Sequence, residues 1–128
     1  MVKRLLAIED DPLHHMIIGK IATSAGYEAS IATSVEKATA LLHEGTFDCI
    51  TLDLSLGEQS GVDVLHVLAD LGTQVPVIIF SATDDEDCRA TVRLGKSLGL
   101  NICPPLAKPA GVVELRKVLD ALSATAEP

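Results

Sequence analysis

Aromatic residues are almost missing from this chain, which has no Trp, one Tyr and two Phe, 2% in all. Any core it builds must therefore be aliphatic, made of Leu, Ile, Val and Ala. Positive charge is also short. Ten Lys and Arg stand against eighteen Asp and Glu, a formal net charge of -8, so the chain lacks the basic face that nucleic-acid phosphates demand. Anionic membranes are disfavoured for the same reason, and any effect on DNA would have to pass through another domain or a partner. Long hydrophobic runs are absent. Val75 to Phe80, the longest, falls far short of the roughly 20 residues that a membrane helix needs. Val2 to Ile8 is short and runs straight into acids, so no secretory signal is expected. Cys49, Cys88 and Cys103 are odd in number and lack CxxC spacing. They read as reduced core thiols of a cytoplasmic protein, rather than as a disulfide, a metal site or a nucleophile.

What is present is a 128-residue chain, 48% hydrophobic, with a mean hydropathy of +0.34. That length fits one domain with a real core. Short apolar runs at Arg4–Ile8, Tyr27–Ala32, Cys49–Leu52, Val75–Phe80 and Ile102–Ala107 read as strands. The third and fourth are apolar at consecutive positions, as strands covered on both faces should be.

Helical patterns lie between the runs. Asp11-Pro12 offers an N-cap and a first-turn proline, opening a helix with Leu13, Ile17 and Ile21 on one stripe. Thr33-Ser34-Val35-Glu36 and Thr83-Asp84-Asp85-Glu86 are capping-box patterns, the second starting a helix to about Leu98. A shorter helix is expected from Gly61 to about Ala69. The last, Val112 to Leu122, carries Leu115, Val118, Leu119 and Leu122 at helical spacing.

Alternating strands and helices with short connections imply an α/β fold, a parallel sheet sandwiched between two helical layers. Pro104-Pro105 cannot donate to a ladder, so the fifth strand belongs at an edge. That predicts the flavodoxin-like (βα)5 sandwich with sheet order 2-1-3-4-5. The domain is expected over residues 1–122, with Ser123–Pro128 as a frayed end or linker stub.

In such folds the chemistry gathers at the carboxyl ends of the strands. Strand one ends in Glu9-Asp10-Asp11, strand three in Asp53, strand four in Ser81-Ala82-Thr83 and strand five in Lys108-Pro109. Strands one and three are neighbours in this order, so the carboxylates of Asp10 and Asp53 should converge. Crowded acids repel, and a hard divalent cation resolves the conflict. Mg²⁺ takes one or two carboxylates, a phosphate and waters. Asp53 could then act as a carboxylate nucleophile, with Lys108 neutralising the transferring phosphoryl group and the Ser81 hydroxyl bonding one of its oxygens. Each residue alone is ordinary: a strand-end acid is usually a cap or a solvated charge, as Asp11 should be. The coincidence of all of them at one end of the sheet is what carries the reading.

Glu9-Asp10-Asp11-Pro12, Leu52-Asp53-Leu54-Ser55-Leu56 with Gly61, Phe80-Ser81-Ala82 and Ala107-Lys108-Pro109 together resemble the response-regulator receiver family, in order and spacing across essentially the whole chain. The resemblance implies that Asp53 is phosphorylated from a partner histidine kinase or phosphotransfer protein. It implies Mg²⁺ held by Asp10 and Asp53, by Glu9 through water and by the Ser55 backbone carbonyl. Ser81 would be the switch hydroxyl, Lys108 would bridge to the phosphorylated carboxylate, and Ala82 and Thr83 would flank the site and tune the phosphoryl lifetime. The domain would then be a regulated binding module rather than an enzyme, controlling an output domain or partner, or a phosphorylation-dependent homodimer, through the fourth helix, fifth strand and fifth helix. The segment from Gly99 to Pro109 is similar to receivers joined to cyclic-di-GMP phosphodiesterases.

Three departures stand out. Gly57 replaces a common proline, so a more mobile loop after Asp53 is expected. Ala110 stands where the family usually has Phe. Pro105 stands where the family places an aromatic switch, so coupling is expected to run through backbone shifts of the surrounding loops. Two other patterns occur in the chain. Ala90 to Ser97 meets the loose P-loop pattern, which would make the chain a nucleotide enzyme, yet it falls inside a helix and begins with Ala90 in place of glycine. Asp53-Leu54-Ser55 also resembles haloacid-dehalogenase phosphatases, but Ser55 cannot serve as their second acid. Adjacent His14 and His15 point in different directions on a helix, and with His43 and His66 they read as surface or helix-end residues.

Overall fold

The computed structural model describes residues 3–56, 59–81, 85–107 and 112–126, with the backbone alone given at 55, 56, 59, 60, 80, 81, 85, 87, 107, 112, 113 and 123–126. In chain order the elements are β1 (Lys3–Ile8), α1 (Pro12–Ser24), β2 (Tyr27–Ala32), α2 (Val35–Glu44), β3 (Cys49–Leu52), β4 (Ser55–Leu56), β5 (Gln59–Ser60), α3 (Gly61–Leu71), β6 (Val77–Ser81), α4 (Asp85–Ser97), β7 (Leu106–Ala107) and α5 (Val112–Ala126).

The main sheet runs β2-β1-β3-β6-β7 and every pair in it is parallel. With the small β4–β5 hairpin set aside, this is the predicted order 2-1-3-4-5. Both faces are covered, which is why the strands read as unbroken apolar runs. Leu6, Ile8, Ile50 and Leu52 pack with Ala38 of α2, with Val64, Leu65 and Leu68 of α3, and with Leu94 of α4. Leu5, Ala7, Cys49 and Ile78 pack on the other side with Ile18 and Ala22 of α1 and with Leu115 and Leu119 of α5. Each fully buried Leu or Ile contributes about 1.5–3 kcal/mol, so an aliphatic core suffices without aromatics.

The caps follow the sequence with one shift. Asp11 Oδ1 accepts from Leu13 N at 2.9 Å, with Pro12 in the first turn. The cap of α2 is Ser34 rather than Thr33: its Oγ accepts from Lys37 N at 3.2 Å. Lys37 Nζ reaches back to Thr33 Oγ1 at 3.0 Å. The Thr83 and Asp84 part of the second capping-box pattern lies outside the described residues.

Proline reset two strand boundaries. β6 begins at Val77, since Pro76 has no N–H to give, although its carbonyl accepts from Ile50 N at 2.9 Å. The strand expected over Ile102–Ala107 is reduced to a bridge between Val77 and Ile102 and the pair Leu106–Ala107, with exposed Pro104 and Pro105 interrupting the ladder. The β4–β5 hairpin was not expected; Ser55 pairs with Ser60 and Leu56 with Gln59. Gly57, on which a mobile loop was expected, lies outside the described residues. α5 continues past Leu122 to Ala126, so most of the expected tail is helical backbone.

Three expected outcomes follow from this packing. A Cβ at Gly61 would meet the Asp53 carbonyl oxygen at 2.6 Å and Leu54 Cα at 2.9 Å, both backbone atoms. Gly61→Ala should cost about 1–3 kcal/mol of stability in a urea titration and displace the Asp53 backbone amide resonance. Thr51 is 1% exposed and its hydroxyl has no hydrogen-bond partner among the described residues. Thr51→Val should therefore raise the unfolding free energy by about 1 kcal/mol, and a loss of stability would show the hydroxyl to be bonded. Tyr27 donates its O–H to the Leu119 carbonyl at 3.2 Å. Burial first, then the neighbouring Cys49, Asp48 and Asp120, pushes its phenol up to about 12 from 10.0. The unfolded phenol ionises first, so this contribution is complete below pH 10 and is lost as pH rises to about 12. Thermal melts of Tyr27→Phe should show a shallower loss across that range.

Candidate phosphoacceptor site

The register of β1 against β3 places Ile8 opposite Leu52, so Glu9 and Asp53 emerge side by side. Asp53 N donates to the Ile8 carbonyl at 2.9 Å, and Glu9 N donates to the Ala32 carbonyl at 2.9 Å. Both backbones are thus held by the ladder beyond the ends of their strands. Glu9 is 1% exposed and Asp53 6%, while Asp10 is exposed at the rim. Carboxylate oxygens of Glu9, Asp10 and Asp53 lie within 4.8 Å of one another. Two full negative charges about 5 Å apart repel by roughly 3 kcal/mol at an effective dielectric near 20. A cluster of hard oxygen donors at this spacing suits Mg²⁺ or Ca²⁺ and offers nothing to a soft ion.

Beneath the cluster α3 begins tightly. Gly61 N donates to the Leu54 carbonyl at 3.0 Å, folding the segment after Asp53 back over its own start. Ser55, expected to lend a backbone carbonyl, lies in this segment as the first residue of β4. Ser81 ends β6 and pairs with Ala107 of β7, which puts it at the same end of the sheet. Lys108, Ala82 and Thr83 lie outside the described residues. Pro105 is exposed, away from the buried layers.

His14 and His15 stand at a helix end, in the first turn of α1, and both are half-buried. His14 Nδ1 sits 3.6 Å from Glu9 Oε1 and 3.3 Å from Asp11 Oδ2, and the His15 Nε2–H donates to the Glu9 carbonyl. The available signal was position. With Asp11 as N-cap, His14 is the third helical residue, whose side chain leans back over the helix start. The P-loop-like stretch Ala90–Ser97 lies wholly within α4 with Lys96 exposed, so it forms no phosphate-cradling turn. Among the described residues no helix is long and apolar enough to cross a membrane.

Comparison with known proteins agrees with this geometry. The chain is 32% identical over 110 residues to a protein-glutamate methylesterase/protein-glutamine glutaminase of Treponema denticola, a match covering 84% of this chain and 29% of that protein. The receiver domain of the Francisella response regulator 1452 superposes with a TM-score of 0.80 at 22% identity, covering 98% of this chain and 99% of that one. The receiver domain of a Pseudomonas aeruginosa sensor histidine kinase, solved with magnesium in its active-site cleft, gives 0.79 at 23% identity over 97% and 99%. The chain spans 29% and 52% of the length of two of the curated relatives it matches. The family model "Response regulator receiver domain" matches residues 5–120, and with its sheet order and acidic cluster the chain belongs to that family.

Proposed function

We propose that Asp53 accepts a phosphoryl group from the phosphohistidine of a histidine kinase or phosphotransfer protein. An Asp53 carboxylate oxygen forms the new O–P bond as the N–P bond to the donor imidazole breaks. The observation that carries this is the gathering of Glu9, Asp10 and Asp53 within 4.8 Å. Glu9, Asp10, Asp53 and the Ser55 carbonyl would hold Mg²⁺, which supplies positive charge against the carboxylates and the phosphoryl oxygens when bound. Asp53 is 6% exposed, enough for a small electrophile at the mouth and little bulk water beside it. Lys108 adds a second cation toward the phosphoryl group, and the Ser81 hydroxyl donates to one of its oxygens. Ala82 and Thr83, next along the chain, set how closely water approaches and so the phosphoryl lifetime.

The domain, taken as residues 1–122, acts as a switch and not as a turnover enzyme. Its output face is α4, β7 and α5, where an output domain, a downstream protein or a second copy docks. Pro104 and Pro105 stiffen that edge and deny it an aromatic reporter, so the signal passes through backbone shifts in the connecting segments. The protein works in the cytoplasm, where such kinases present their phosphohistidine.

Incubation with Mg²⁺ and a small phosphodonor should give one acid-stable, base-labile phosphate per chain, lost on chelation and in Asp53→Asn. Labelling of Asp53→Asn at the parent level would overturn the choice of nucleophile.

A further inference from the structure

The two adjacent histidines of α1 have no part in the proposal so far, yet both meet the same residue. Glu9 is approached from three sides. Its Oε2 accepts from Asp11 N at 3.4 Å, its Oε1 faces His14 Nδ1 at 3.6 Å, and its carbonyl accepts from His15 Nε2–H. Asp11 caps Leu13 N through Oδ1 at 2.9 Å, and its Oδ2 lies 3.3 Å from His14 Nδ1, so His14 stands between two carboxylates. His14 Nδ1 is itself buried and makes no hydrogen bond among the described residues. A small turn of the Glu9 carboxylate about its soft terminal torsion would supply one.

His14 does not join the metal-binding set directly, because the oxygens that cluster within 4.8 Å are those of Glu9, Asp10 and Asp53. Its effect must pass through Glu9. We infer that His14 and His15 are positioning residues that fix the carboxylate and the carbonyl of Glu9, and that this clamp raises the affinity of the acidic cluster for Mg²⁺. The inference rests on the phosphoacceptor reading, since it assumes that the cluster holds a divalent cation. Partners of this outer kind orient a ligand before the ion arrives, and their loss typically weakens binding 10- to 100-fold. Helical spacing makes adjacent histidines useless as a chelating pair, but suits them to hold two different atoms of one residue just past the end of β1.

The test is a set of calorimetric titrations with Mg²⁺ alone, run beside thermal melts. His14→Ala should bind Mg²⁺ about tenfold more weakly than the parent, and His14→Gln, which keeps a side-chain N–H, should recover most of the loss. In a Glu9→Gln background His14→Ala should change the affinity less than twofold, because the group it positions is gone. His15→Gln should lose less than His15→Ala. Unchanged or tighter Mg²⁺ binding by His14→Ala, or an equal loss with and without Glu9, would overturn the clamp. If the parent binds Mg²⁺ and Asp53→Asn does not, the phosphoacceptor reading survives that failure. A parent that takes up no Mg²⁺ at millimolar concentration sinks both.

Discussion

The register of β1 against β3 is the constraint on which the site depends. Ile8 opposite Leu52 lets both strands end together, and a sheet rises about 3.3 Å per residue. A slip of two residues would carry Asp53 some 6.6 Å from Glu9, and a slip of one would turn its side chain to the other face. What prevents slippage is burial. Leu6, Ile8, Ile50 and Leu52 enter one layer and Leu5, Ala7 and Cys49 the other, so any other register would mismatch small and large side chains in two cores at once. The core holds the repelling carboxylates together at the end of the sheet.

The two edges of that sheet are treated differently. β2 pairs with β1 along all six residues, whereas among the described residues β7 pairs with β6 at two, Leu106 and Ala107, directly after Pro104 and Pro105. Among the described residues the edge nearest the expected output face is therefore held by few ladder bonds. Its place is secured instead by Cys103 N donating to Val77 O and Val77 N donating to Asn101 O, both at 2.9 Å.

Much of this was legible beforehand because the signals are local or periodic. Consecutive apolar residues marked strands with two buried faces, Asp11 and Ser34 supplied short polar side chains where helices start, and proline placed the fifth strand at an edge. The misses share a cause. Pro76 and Pro105 trimmed strands whose apolar patterns ran through them, because a ladder needs N–H groups as well as hydrophobicity. The Ser55–Ser60 hairpin carries no alternating pattern. The two histidines meet Glu9, just past the end of β1, a contact that no local spacing announces.

By itself the sequence determined the layered fold, the strand order and the end of the sheet at which the acids lie, since period, caps and proline are properties of short stretches. Only the tertiary structure decided how close the carboxylates come, how little of Glu9 and Asp53 reaches solvent, and that Gly61 must be bare to let α3 start against the Asp53 carbonyl. Those depend on register and on the approach of elements far apart in the chain. The approach of His14 and His15 to Glu9 belongs with them, since it depends on how the first turn of α1 lies against the end of β1.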